Sequence, residues 1–390
     1  MLRPEDAMQT TSIKEIPLKM PGQSVVGHFA VNDSGTGPGL LLICDPDVSK
    51  NSLLHRVRLF AQEGYAVLGL KGKFEPDDVI NAANTLSSRK DCVNGLVCVA
   101  HGSVVTAVLD VAASFNAIVS FDASKLSAYR TPIGIECPVI FQFGTQNATN
   151  TDIEIETARA IIDSTNGSRV YVWTEACPAF SLQGEPTFNH RVDSLAHTRT
   201  LELVRRIVGP YYDYVELFAE HVRHEFETRD VDATMATMIE EPYVNHVATL
   251  AGGIGHDMLK RFYKYHFVNQ NSSERNSITV SHTPGPDQVV MELVVRFKHD
   301  KVLDRYFPGI PPTQQFVELA TVLIVKFRGD KVCHEHIYWD QGSALKQIGV
   351  LDADHLPVAG SEAARKVLDV DLPSNIFMEH AWDKSRDKPI

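Results

Sequence analysis

The chain has 390 residues, 44% of them hydrophobic and 22% charged, with a formal net charge of −12. That is the composition of an ordinary globular protein of about two or three domains. The acidic balance, with no basic tract, argues against nucleic acid or an anionic membrane as partner.

Residues 1–11 lack the apolar core of a signal peptide. No apolar run reaches the ~20 residues that span a bilayer. Six cysteines (Cys44, Cys92, Cys98, Cys137, Cys177, Cys333) are scattered without CxxC spacing. Most sit in apolar runs and read as buried thiols in a reducing compartment, and a cytoplasmic protein is expected.

The first half alternates strand and helix signals. Apolar runs predict buried strands at 40–44, 65–70, 95–100, 117–121, 138–143 and 170–173. Helical patterns fall between them, at 52–62, 77–88, 104–113 and 151–164, with a long helix over 193–208. Such alternation indicates a parallel sheet covered on both faces. Gly209-Pro210 marks a boundary, giving expected domains of 1–208 and 209–390. Beyond it, helices at 212–228, 232–238 and 256–267 precede long strands at 277–284, 288–297, 316–327 and 332–340. A short helix over 343–348 closes the unit, and the tail after Ala359 reads as polar chain that wraps or frays. This order predicts an α+β domain with a curved antiparallel sheet.

The run Cys333-His334-Glu335-His336-Ile337-Tyr338-Trp339-Asp340 carries the most chemistry. As a strand it puts His334, His336, Tyr338 and Asp340 on one face and Cys333, Glu335, Ile337 and Trp339 on the other.

Local phrases add a resemblance for each half. Glu63-Gly64-Tyr65-Ala66-Val67, Cys98-Val99-Ala100-His101-Gly102-Ser103 and Pro138-Val139-Ile140-Phe141-Gln142-Phe143-Gly144 resemble the dienelactone hydrolase branch of the α/β-hydrolase superfamily. That family places a nucleophile on a tight strand-to-helix turn. The resemblance puts Ala100 in the nucleophile slot, Asn147 in the acid slot and Pro178 in the histidine slot, so the triad is empty. A rescue through Ser103 or Cys98 with His101 as base needs all partners within hydrogen-bond reach.

Residues 212–351 resemble the SnoaL-like polyketide cyclases of the nuclear transport factor 2-like superfamily, through Tyr243-Val244-Asn245-His246, Phe327-Arg328-Gly329-Asp330-Lys331 and the closing strand. The resemblance implies a cone that binds hydrophobic molecules, with Asp340 as the acid/base group at the end of the last strand. If Asp340 faces the cone, His336 and Tyr338 face it too. His246, Tyr243, Glu292 and Glu318 are further candidates, with His299 behind them. Asp340, His336 and His246 are thus expected to be catalytic, and Tyr338, Glu292, Tyr243 and Glu318 to bind substrate. His334, His336 and Asp340 lack a recognised metal spacing, so neither metal nor another cofactor is expected. The implied function is an enzyme of secondary metabolism that dehydrates or cyclises a hydrophobic intermediate, a pericyclic (Diels–Alder type) closure included. A non-catalytic binder and a lactone or ester hydrolase are the alternatives. Ile337 and Trp339, read as an outer apolar face, suggest a homodimer.

Overall fold

Leu40, Leu41, Leu42 and Ile43 are all fully buried, and their alternation feeds two cores at once. Leu41 and Ile43 pack with Leu68, Cys98, Ala100 and Ile118. Leu40 and Leu42 pack with Val67, Val97, Val99 and Val119. Only a strand covered on both faces needs side chains that are apolar in both phases.

The structure, a computed structural model, describes residues 11–20, 23–32, 34–129, 135–149, 151–162 and 167–389. The chain divides into two units between Tyr212 and Asp213.

In the first unit the strands are β1 (Lys14–Met20), β2 (Gln23–Ala30), β3 (Gly37–Cys44), β4 (Ala66–Lys71), β5 (Cys92–His101), β6 (Ala117–Phe121), β7 (Val139–Gly144) and β8 (Arg169–Trp173). Their order in the sheet is β1-β2-β4-β3-β5-β6-β7-β8. β1 and β2 are antiparallel, and β2 runs antiparallel to β4. The strands from β4 through β8 are parallel to their neighbours. The antiparallel pair β1–β2 is absent from the sequence reading, which places no strand before Leu40.

The helices are α1 (Lys50–Gln62), α2 (Pro76–Ser87), α3 (Val105–Asp110), α4 (Thr151–Ile162) and α5 (His190–Val208). Ser49 caps α1 and Asn189 caps α5 through side-chain oxygens. Buried ion pairs tie the segment of α1 to α5: Arg56 to Asp193 at 2.9 Å, and Glu63 to Arg205 at 2.6 Å and His197 at 3.0 Å.

The second unit opens with α6 (Tyr214–Arg223), which continues as a π turn over His224–Thr228, and α7 (Val231–Ala236). β9 (Met238–His246) and β10 (Ala251–Ile254) follow, then α8 (His256–Phe262) with a π turn over Tyr263–Phe267. The long strands are β11 (Asn276–Pro284), β12 (Gln288–Lys298), β13 (Phe316–Arg328) and β14 (Lys331–Trp339). The sheet order is β10-β9-β14-β13-β12-β11. It is mixed, because β9 and β14 are parallel while the other neighbours are antiparallel. After α9 (Gln341–Gln347), the tail forms α10 (Ser361–Leu368) and α11 (Glu379–Asp383). α10 lies against β13, and Arg365 Nε donates to Glu318 at 3.0 Å. The tail is therefore partly built into the unit, not merely wrapped around it. Among the described residues no helix is long and apolar enough to cross a membrane.

Candidate active site

The register of the second sheet decides which residues face its concavity. Leu323 pairs with Ile337 and Val325 with Glu335. Met291 pairs with Leu323 and Leu293 with Thr321. Glu335 and Ile337 meet Val244 and His246 of β9. Directly opposed residues share a face, so all of these lie on one side. That side lines a cavity of about 140 Å³, closed by Phe218, Phe226, Tyr263, Phe267, Arg275 and Arg305 among others.

The alternation read from the sequence holds, but its phase is inverted. His334, His336 and Tyr338 point away from the cavity, with Tyr338 40% exposed. They form an outer ring cluster with Tyr243: His334 and His336 stack at 4.8 Å, and Tyr243 and His336 meet edge-on at 5.4 Å. Asp340 is exposed and stands one residue beyond β14, where its carboxylate accepts from Gly342 N and Ser343 N and caps α9. A cap residue leaves the strand geometry, so Asp340 never joins the alternation that was built on it.

Glu292 also faces outward, with Ser281 Oγ donating to it at 3.4 Å. Glu318 binds Arg365 at 3.0 Å and Arg296 at 3.4 Å on the same outer face. His299 is buried against Phe307 and bonded to Thr313, outside the cavity lining. Ile337 lines the cavity, and Trp339 packs on His246 and Tyr306. The apolar outer face on which a homodimer was inferred is thus an inner one.

Of the candidates from the sequence, His246 lies in the cavity wall. Its Nδ1 lies 3.1 Å from the Ala251 carbonyl, which can only accept. Nδ1 therefore carries the hydrogen and Nε2 is the acceptor. Burial, with the nearby Arg305 charge, pushes this imidazole down to about 4, so it is neutral.

The strongest polar group in the cavity was not singled out from the sequence. His221 on α6, Glu225 one turn later and Glu335 on β14 are all buried and place their donor atoms within 4.8 Å of one another. His221 Nε2 lies 3.3 Å from Glu225 and 3.2 Å from Glu335. Tyr263 donates to Glu335 at 3.3 Å. On the far side, His221 Nδ1 meets Thr237 Oγ1 at 2.6 Å, and that hydroxyl spends its hydrogen on the Thr234 carbonyl at 2.7 Å. Thr237 must then accept from Nδ1–H, while Nε2–H faces two carboxyl groups. Both ring nitrogens are protonated.

The electrostatics agree. Burial alone pushes His221 down, but the two carboxyls outweigh it and raise it to about 10. Burial raises Glu225, opposed by His221 and reinforced by the Glu335 charge. Burial also pushes Glu335 up, but His221 outweighs it and holds Glu335 below the usual carboxylate range. One imidazolium thus favours ionisation of Glu335, while burial and the Glu335 charge shift Glu225 toward its protonated form. Two glutamates and an imidazole also have the donor chemistry of a metal site. Here their contacts are already satisfied as an ion pair, with Tyr263 and Thr237 as outer partners.

The sequence did carry a signal. Glu335 sits between Cys333 and Ile337, on the apolar face of its strand, where an unpaired carboxylate is costly. His221 and Glu225 are an i, i+4 pair on an amphipathic helix.

The first unit contains a second cavity, of about 360 Å³, lined by Asp45, His101, Gly102, Asp122, Pro178 and Ala179 among others. Ala100 is not the apex of the turn. It is a fully buried β5 residue paired with Ile43 and Ser120. The apex is Gly102, at φ +84°. A Cβ at that position would lie 2.3 Å from Asp45 Oδ2. Asp45 also accepts from Ser103 N at 2.8 Å, Ser103 Oγ at 2.9 Å and Val104 N at 3.1 Å. The main-chain donors that such a turn offers to an oxyanion are occupied by an internal carboxylate.

The turn carries glycine at its apex, two residues beyond the Ala100 to which the resemblance assigns the nucleophile slot. Asn147 is exposed, with a long contact to Cys177 at 3.9 Å, and Pro178 lines the cavity. Ser103 is committed to Asp45, Cys98 is buried with its thiol pushed up, and His101 Nε2 is buried without a hydrogen-bond partner. The rescue constellation is not assembled. Asp122, which the sequence reading does not single out, is half-buried just past β6, accepts from Gly144 N and Ala179 N, and is raised to about 7 by loss of solvent around its carboxyl.

No protein-family model matches the sequence, and no curated protein matches it. Solved structures do. A dienelactone hydrolase-like promiscuous phosphotriesterase from metagenomic libraries is 12% identical, with a TM-score of 0.42 over 52% of this chain and 100% of its own. A SnoaL-like polyketide cyclase from Jannaschia sp. CCS1 is 17% identical, with a TM-score of 0.29 over 37% of this chain and 100% of its own. The epoxide hydrolase/cyclase-like enzyme SalBIII, named for pyran ring formation in the polyether salinomycin, is 15% identical, with a TM-score of 0.25 over 32% of this chain and 89% of its own. The resemblance is twofold. It is to dienelactone hydrolase-like proteins in the N-terminal half and to SnoaL-like cyclases elsewhere.

Proposed function

We propose that the protein is an enzyme of secondary metabolism that binds a hydrophobic natural-product intermediate in the C-terminal cavity and promotes acid/base dehydration and cyclisation. The observation that carries this reading is the pair of buried carboxyls, Glu225 and Glu335, pushed to opposite sides of their usual range around one imidazolium. Titratable neighbours whose environments separate their pKa values mark acid and base roles.

In this reading Glu225 is the proton donor. It protonates a substrate hydroxyl, the C–O bond breaks with both electrons moving to oxygen, and water leaves. Neutral His246 accepts the proton released from the neighbouring position, so the substrate gains a double bond and the proton count closes. Glu335 and Tyr263 hold His221, and His221 stabilises Glu225 once it has given up its proton. The new unsaturation then closes a ring while the wall formed by Met291, Leu293, Val295, Leu323 and Ile337 holds the reacting ends together. Orientation of this kind supplies up to about 7–11 kcal/mol in good cases, enough to matter for a pericyclic closure as well. An enclosed space of about 140 Å³ accommodates roughly one ring of the substrate.

The test is incubation of wild type and Glu225→Gln with a library of hydrophobic allylic alcohols and enols, followed by mass spectrometry. Products that have lost water, or isomeric ring-closed products, are expected with wild type and reduced about 10²–10⁴-fold in the variant. Ligand-induced stabilisation of wild type without any conversion would favour a non-catalytic binder instead.

A further inference from the structure

Arg275 lines the cavity with its guanidinium stacked on Phe226, 3.9 Å from the ring centroid. Its Nε is shielded from solvent and has no hydrogen-bond partner among the described residues, while the residue as a whole is half-buried. Burial lowers its pKa, with the Arg305 charge adding to the effect and Tyr306 and Glu225 opposing it only in part. Beside it, Arg305 is 2% exposed and is held by neutral acceptors, the Phe267 carbonyl and Asn271 Oδ1.

The charges around this cavity do not balance. Arg275, Arg305 and His221 stand against two carboxyls, Glu335 and Glu225, so even with both ionised a surplus of one positive charge remains. A cation in surplus, with its Nε buried and unbonded, is a costly arrangement unless a ligand supplies the anion. Its planar fork suits an oxyanion, and stacking on Phe226 fixes its plane.

We propose that the substrate of this cavity carries an anionic group, a carboxylate or an acidic enol, bound by Arg275, with the apolar remainder of the molecule against Met291, Leu293 and Val295. This rests on the assignment of the C-terminal cavity as the working site and adds the class of substrate. Arg275 is a substrate-binding residue in this account, not a proton donor.

The test is isothermal titration of the full chain with benzoate and benzamide, which share a ring and differ by the charge. Benzoate is expected to bind at least tenfold more tightly than benzamide to wild type. In Arg275→Met the preference is expected to disappear through loss of benzoate affinity, with benzamide binding unchanged as the check on folding. 1,3-Cyclohexanedione, an acidic enol, is titrated alongside: tighter binding than benzoate assigns the enol, and weaker binding assigns the carboxylate. Equal affinity for benzoate and benzamide in wild type, an unchanged preference in Arg275→Met, or no binding of any probe would overturn the proposal. Glu225→Gln keeps the benzoate preference, so failure of the acid/base assignment is read separately, in turnover.

Discussion

Both units carry buried polar groups around a cavity, and the two clusters differ in how far the protein satisfies them itself. In the first unit, Asp45 takes the main-chain donors at the Gly102 turn and Asp122 those of Gly144 and Ala179, and the unbonded His101 Nε2 belongs to an imidazole that burial keeps uncharged. In the second, three cations surround two carboxyls, one of them shifted toward its protonated form, and Arg275 Nε is buried and unbonded. A cluster that uses its own hydrogen-bonding capacity behaves as structure. A cluster with charge left over is poised for a ligand.

The largest effect expected of this contrast is on stability. His221→Leu strands Glu335 without its cation, and loss of one partner of a buried pair costs about 3–5 kcal/mol. Urea unfolding measures it, and a loss below about 1 kcal/mol would remove His221 from the centre of the cluster. Next, Gly102→Ser tests the closed turn. The new Cβ meets Asp45 at 2.3 Å, so the variant is expected to lose about 1–3 kcal/mol and to gain no hydrolysis of p-nitrophenyl acetate. A stable, active esterase would break the comparison.

The pH dependence sharpens it further. His221 titrates near 10 in the folded chain against its ordinary 6.5, so the folded state holds a proton that the unfolded state releases. Its contribution is full below pH 6.5 and declines as pH rises toward 10, by up to about 1.4 kcal/mol per unit. Glu335→Gln removes one anionic partner and is expected to flatten that decline in unfolding curves recorded above pH 6.5. A slope unchanged from wild type would contradict the pairing. The smallest effect belongs to the outer face: Asp340→Ala removes a helix cap, costs about 1 kcal/mol and leaves turnover intact.

These contrasts also show what the sequence makes legible. The parallel strands of the first unit read directly, because burial on both faces leaves uninterrupted apolar runs such as Leu40–Cys44. β9 did not, because Glu240, Glu241 and Pro242 interrupt its alternation, and Ala251–Ile254 is too short and glycine-rich to stand out. On β14 the period was readable but the face was not. Asp340 set the phase by resemblance, whereas the local chemistry pointed the other way: Cys333, Ile337 and Trp339 form the apolar face, and Glu335 is the costly residue on it. Arg275 and Arg305 come from segments outside any helix or strand, and no periodicity announces them.

The central claim is that Glu225 is shifted toward its protonated form and Glu335 away from it, so that Glu225 is the proton donor. Infrared difference spectroscopy of the carboxyl stretch at pH 7, on wild type, Glu225→Gln and Asp122→Asn, tests it most directly. The account predicts a protonated-carboxyl band that loses one component in Glu225→Gln and another, from Asp122 with its pKa of about 7, in Asp122→Asn. Disappearance in Asp122→Asn alone would mean that Glu225 is ionised and cannot be the proton donor.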